Sequence, residues 1–281
     1  MSGHRLRLSR LARLRARVDT HPLLAAAGGL LVAFLIAPLV ALLTATRLAD
    51  FGAGLRHPLV WPALRLSMFT TSISLLLVVL LGTPLAWTLA RAHGPLARAV
   101  ETSVQLPIVI PPAVAGVAML LAFGRRGPFA GWLYPREWSL TFTTTAVVIA
   151  EVFVSAPFFV QAATSAFRRI DQRFLVVART FGARPLRIFF RLAVPLAAPS
   201  LAAGAAMSWA RSLGEFGATL MFAGNLEGET QTLPLAIYTT LESDMHAAQS
   251  LSVVLVAVAF ALLLFVRFLL RSTAERLEAS L

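Results

Sequence analysis

Apolar residues run along this chain in six long blocks, separated by short stretches in which arginine is the commonest polar residue. The blocks extend approximately from Leu23 to Thr46, Leu66 to Ala90, Thr102 to Phe123, Leu140 to Ala162, Leu196 to Phe222 and Ala247 to Val266. Each reaches the roughly 20 residues that a helix, rising ~1.5 Å per residue, needs to cross a hydrocarbon layer about 30 Å thick. The pattern therefore predicts an all-α integral membrane protein with six transmembrane helices in one membrane domain, residues 23–271. A basic tail, 1–22, precedes it and a short tail, 272–281, follows. The 24 uncharged residues from Leu23 are too many for the core of a secretory signal, so this block is expected to be a retained span.

The polar residues orient the blocks. With the amino terminus in the cytoplasm, eighteen of the 25 basic residues fall on that side: Arg5 to Arg17, Arg91, Arg98, seven between Arg168 and Arg191, then Arg267, Arg271 and Arg276. The outer connections hold Arg47, Arg56, Arg65, Arg125, Arg126 and Arg136, and the last of them carries only Glu227, Glu229, Glu242 and Asp244. This bias places both termini in the cytoplasm.

The connection from 164 to 195 is unlike the others, being long, basic and patterned. Asp171 is placed to cap a helix that runs to Phe181, and Gly182 suits the left-handed residue that ends one. Pro185 can open a second short helix. There Arg184, Arg187 and Arg191 fall on one side and Leu186, Phe189, Phe190 and Ala193 on the other. Two uses remain open on pattern alone: a helix lying on the membrane surface, or a docking element for a protein partner.

Composition narrows the chemistry. Hydrophobic residues make up 58% of the chain and charged ones 14%, too greasy for a water-soluble domain. Every basic residue is arginine, which excludes a Schiff-base lysine and the lysine of a phosphate-cradling loop. Cysteine is absent, so thiolate metal sites and thiol nucleophiles are excluded too. The net charge of +12 does not point to nucleic acid, because the arginines flank spans instead of sharing one face.

Charges inside a span are costly and face a bundle interior or a watery path. Arg211 and Glu215, four residues apart in the fifth block, are such a pair, and Glu151 in the fourth is a third candidate partner. Arg211 pairing with Glu215 and Arg211 pairing with Glu151 are both open. Gly204, Gly214 and Gly217 with Ser208 and Ser212 give the fifth block a small-residue surface that permits close approach of another helix. Gly82 with Pro84, and Pro107 with Pro111 and Pro112, are expected to bend the second and third spans. By residue type, Ser212, Thr219, Asn225 and Gln231 are hydroxyl and amide donors suited to an anion.

The spacing of Ala178, Gly182 and Leu192-Ala193-Val194-Pro195 resembles the cytoplasmic E-A-A-x-x-x-G-x₉-I-x-L-P loop of ABC importer permeases. The chain departs from that motif in having Val176 and Val177 where it has Glu and its first Ala. "LPIVIPPAVAGVAMLLAFGRRGPFAGWL" (106–133) and "WARSLGEFGATLMFAGNLEGETQTLPLAIY" (209–238) resemble the molybdate/tungstate/sulfate group, nearest to its molybdate branch.

The resemblance implies a type I importer permease in the bacterial inner membrane, working as a homodimer. It also implies an external oxyanion-binding protein and two separate ATPase subunits that hold the ATP and Mg, with no cofactor in this chain and no catalytic residue. Ala178, Gly182, Ala183, Arg184, Pro185, Arg187, Arg191, Leu192 and Pro195 would then couple to the ATPase. Arg211, Ser212, Gly214, Glu215, Gly217 and Thr219 would line the path or gate. The competing expectations are a sulfate or tungstate importer permease, and an ion-coupled secondary transporter of a small anion using Glu151, Glu215 and Arg211 as a proton-linked set.

Overall fold

A computed structural model describes the backbone of residues 22–46, 51–52, 54–133 and 140–278, and of these the side chains as far as 264 except at 132 and 133. Most of the basic amino-terminal tail, Arg47, Arg136 and the side chains of Arg267, Arg271 and Arg276 lie outside the described residues. The described secondary structure is helical, with no strand among the described residues. Helix α1, Pro22–Ala45, is a unit by itself and is apolar on every side.

The second unit holds the remaining elements. They are α2 (Val60–Arg91), α3 (Pro95–Val109), α4 (Pro112–Phe123), the single turn α5 (Ala130–Leu133), α6 (Thr144–Arg168), α7 (Gln172–Thr180), α8 (Pro185–Leu213), α9 (Gly217–Ala223), α10 (Leu233–Ser243) and α11 (Met245–Glu278). Among the described residues five helices are long and apolar enough to cross a membrane, and the bent pair α3–α4 makes a sixth crossing if it counts as one span.

Helix α6 is the most buried span and lies between α2 and α8. Val78, Ala86 and Leu89 of α2, Phe159, Ala163 and Phe167 of α6, and Phe189, Ala193 and Ala197 of α8 form one packed cluster. Lipid is as apolar as these side chains, so fit and dispersion hold the contact more than escape from water does. The hydroxyls of α2 add directed bonds. Ser67 Oγ accepts from the Leu233 N–H at 2.7 Å and so caps α10, a helix that the hydrophobic pattern did not reveal.

The third and fifth blocks are not continuous helices. Pro111 and Pro112 lack N–H donors and push the residues before them out of helical geometry; Ile110 (ψ 129°) and Pro111 (ψ 134°) are extended, and α3 and α4 meet at 117°. In the fifth block the helix stops at Leu213, and Gly214 to Phe216 separate it from α9.

At its start, α8 is longer than the fifth block. Pro185 opens it, and it continues through a π-helical turn, Phe189–Ala193, in which the Val194 N–H bonds to Phe189 O. Pro195, with no N–H to offer the carbonyl of Arg191, accounts for the irregular turn at that place. The second short helix of the basic insert is thus the first two turns of a transmembrane helix.

Candidate functional site

Two groups of residues stand at opposite ends of α8, roughly 40 Å apart at ~1.5 Å per residue. At the first end, α7 begins with Asp171, whose carboxylate accepts from the Arg173 N–H at 2.9 Å and pairs with the Arg173 guanidinium. That contact holds the Asp171 carboxyl below the usual carboxylate range.

The helix ends in a turn that uses Ala178 and Gly182 together. Gly182 has φ +77°, its N–H bonds to Arg179 O at 2.9 Å, and the Ala183 N–H reaches back to Ala178 O at 3.0 Å. This pair of bonds is the Schellman arrangement, which needs a residue free to adopt positive φ. The four-residue spacing from Ala178 to Gly182 is therefore the spacing of one helix C-terminus. Arg184 is extended and hands the chain to Pro185.

The exposed surface of this helix–turn–helix is apolar at its centre. Phe174, Val177 and Phe181 lie on one side of α7, and Phe181 is 86% exposed; Leu175 turns inward instead. Arg184, Arg187, Pro185, Arg191 and Pro195 are exposed, while Ala183 and Leu192 are half-buried. The division of α8 into a basic and a buried apolar side is only partly realised. Phe189 and Ala193 are buried, yet Leu186 and Phe190 face out. Val176 and Val177, standing where a Glu and an Ala were expected, are both exposed.

At the other end of α8, Arg211 Nη1 lies 2.7 Å from Glu215 Oε2. Glu215 is not helical; it sits in the break, and its Oε1 accepts from the Ala218 N–H at 2.8 Å, capping α9. The carboxylate is 1% exposed and the Arg211 side chain 27% exposed. Glu151 has other partners: its Oε1 accepts from Thr70 Oγ1 and its Oε2 from Ser74 Oγ, each at 2.8 Å. The question of which acid pairs with Arg211 is thereby answered in favour of Glu215. Residue type alone gave no warning of the hydroxyl cradle on α2, although Thr70 and Ser74 stand four apart on one face of it.

The two helix breaks adjoin. A Cβ at Gly116 of α4 would lie 2.7 Å from Ala218 O, and one at Gly217 would lie 3.1 Å from the Ala113 nitrogen, so α4 and α9 cross at backbone distance. Ser212 is buried and bonds within its own helix to Trp209 O; Gly214 is exposed; Thr219 is fully buried, with no partner for its hydroxyl. Asn225 and Gln231 both donate to Thr239 Oγ1 and tie the loop between α9 and α10 to α10. The small residues of α8 serve this chain's own packing: Gly204 rests against Ala162, and Ser208 Oγ donates to Ser155 O. No group of three or more metal-ligating side chains is found among the described residues.

Residues 79–278 match the family described as binding-protein-dependent transport system inner membrane component. The chain is 44% identical, over 228 residues, to the molybdenum transport system permease protein ModB of Mycobacterium tuberculosis, covering 81% of this chain and 86% of that one. To the molybdenum transport system permease protein ModB of Escherichia coli K12 it is 35% identical over 221 residues, covering 77% and 96%. The fold is similar to the crystal structure of a bacterial ABC transporter involved in the import of the acidic polysaccharide alginate. That match has a TM-score of 0.72, 16% identity, and covers 92% of this chain and 99% of the other.

Proposed function

Because the chain belongs to the family of binding-protein-dependent transport system inner membrane components, we propose that it is the permease of an ATP-driven molybdate importer, with the insert around Gly182 as the element gripped by the ATPase. The observation that carries the reading is the 44% identity to a molybdenum permease over 81% of this chain. The shape of the insert supports the mechanical part. A short helix with Phe174, Val177 and Phe181 outward and arginines around it presents an apolar centre with a charged rim, the usual make-up of a protein–protein contact.

In this reading both termini and the insert lie in the cytoplasm of a bacterium, two copies of the chain form the path, and two ATPase subunits hold the ATP and Mg. Ala178, Gly182 and Ala183 fix the turn; Arg184, Pro185, Arg187, Arg191, Leu192 and Pro195 form the handle's second limb. This limb is the start of α8 itself, so displacement of the handle moves a stiff rod whose far end carries Arg211, Ser212, Gly214, Glu215, Gly217 and Thr219. An element with two discrete packings at that far end would open and close the path as a rigid body. An external binding protein delivers the oxyanion. Arg211, paired with Glu215 and partly open, supplies attraction for a dianion without holding it as an unpaired cation would.

The test is uptake of labelled molybdate into vesicles containing this chain, its ATPase and its binding protein. Uptake that requires internal ATP, survives collapse of the proton gradient and resists excess sulfate is expected. Uptake that follows the proton gradient without ATP would reject the importer reading.

A further inference from the structure

A cavity of about 510 Å³ lies beside the packed core, between the carboxyl half of α2 and the first turns of α8. We propose that it binds an anionic phospholipid, with one acyl chain in the cavity and the phosphate on Arg91. This goes beyond the transport reading and requires only that the helices span a membrane.

The wall is apolar in fact as well as in composition. Leu80, Pro84 and Trp87 line it from α2, and Leu186, Phe190 and Val194 from α8. The two hydroxyls present, Thr83 and Thr88, are spent on their own helix, donating to Val79 O at 2.6 Å and Pro84 O at 2.7 Å. Nothing in the wall invites a polar ligand. The volume lies within the usual range for small-molecule sites, roughly 300–1,000 Å³.

The charge lies at one end. Arg91 closes α2 with its guanidinium 2.9 Å from the centre of the Trp87 ring, and its Nη1 donates to Trp87 O. No carboxylate lies within ion-pair distance of it among the described residues, and the charge within electrostatic reach is another arginine, Arg179. The nearby acids are committed elsewhere, Glu101 to Arg168 and Asp171 to Arg173. A guanidinium without a counter-charge, stacked on the Trp87 that lines an apolar cavity and standing at the end of a transmembrane helix, matches a phosphodiester whose tail runs down the helix. Basic pockets of this kind between transmembrane helices bind anionic headgroups. A guanidinium placed over an indole keeps donors for phosphate oxygens. A second copy of this chain is a poorer occupant, since it would bring its own arginine excess to the same rim.

The experiment uses the full chain in detergent and reads tryptophan fluorescence while lipid with brominated acyl chains is added. Brominated phosphatidylglycerol is expected to quench at a mole fraction at least about fivefold lower than brominated phosphatidylcholine. The difference should vanish in Trp87→Phe, and Arg91→Gln should bring phosphatidylglycerol to the phosphatidylcholine level. Millimolar inorganic phosphate should leave the quenching unchanged, which separates a lipid site from a free-phosphate site. Equal quenching by the two lipids in the unaltered chain would overturn the proposal. So would the absence of any Trp87-dependent quenching, the result of a cavity sealed by a second copy. No transport is measured, so neither outcome depends on the substrate.

Discussion

Substitution at Gly182 isolates the backbone of the handle from its contacts. The residue has φ +77°, and a Cβ built there meets nothing within 4 Å, so the first carbon of a side chain at this position clashes with no neighbour and the conformational cost decides. That cost is about 1–2 kcal/mol for an ordinary L residue in the left-handed region, and it is highest for a β-branched one. Asparagine tolerates the region and ends helices in the same way. An energy of 1–2 kcal/mol shifts the local equilibrium of the turn by roughly 5–30-fold. Gly182→Val is therefore expected to lose protection of the Gly182 and Ala183 amides, the two donors of the Schellman pair, and to bind its ATPase subunit about 5–30-fold more weakly. Gly182→Asn should stay within about threefold on both measures. Hydrogen exchange gives the first readout and titration of the detergent-solubilised permease with the ATPase gives the second. If valine and asparagine behave alike, the turn is not what shapes the handle.

Other consequences follow from the buried charges and the cap. Arg211→Met leaves the Glu215 carboxylate buried without its cation, which costs on the order of 3–5 kcal/mol. Adding Glu215→Gln should restore most of the thermal stability, because an amide oxygen still caps Ala218. Glu151→Gln keeps an acceptor for Thr70 and is expected to melt near the unaltered protein, whereas Glu151→Leu leaves Thr70 and Ser74 only their longer bonds to backbone carbonyls, Ser67 O at 3.4 Å and Val148 O at 3.2 Å, and should melt earlier. Asp171 titrates lower in the folded chain than the ordinary value of 3.8, so its capping contribution is complete above that pH and fades as pH falls through the lowered native value. Amide protection in α7, corrected for intrinsic exchange, should weaken below about pH 4, and this dependence should be absent in Asp171→Asn.

Much of the handle was legible because its signals are local. Asp171 caps, Gly182 terminates and Pro185 initiates, and each does so through its own backbone or an immediate neighbour. The spans were legible for a similar reason, since crossing a bilayer is a matter of length and apolarity. Hydropathy does not register a break, however. Ile110 to Pro112 are as apolar as the helix around them, and only the missing donors of two prolines hinted at that break; at Gly214 to Phe216 the charge of Glu215 marked an ion pair and not an end of the helix. The π turn in α8 depends on Pro195 and on packing against α6 together, so no pattern of faces could place Phe190 correctly. Glu151 was visible as a buried acid, but its partners Thr70 and Ser74 come from 77 to 81 residues away, a distance over which periodicity carries no information.

The central claim is that the stub around Gly182 faces the cytosol and is held there by an ATPase. The chain contains no cysteine, so a single Phe181→Cys variant reports on that surface alone. In sealed cells it should resist a membrane-impermeant maleimide added outside, while in inverted vesicles it should react, form a cross-link to the ATPase subunit, and be shielded when that subunit is bound. Labelling from the outside, or labelling in inverted vesicles that the ATPase leaves unchanged, would contradict the account.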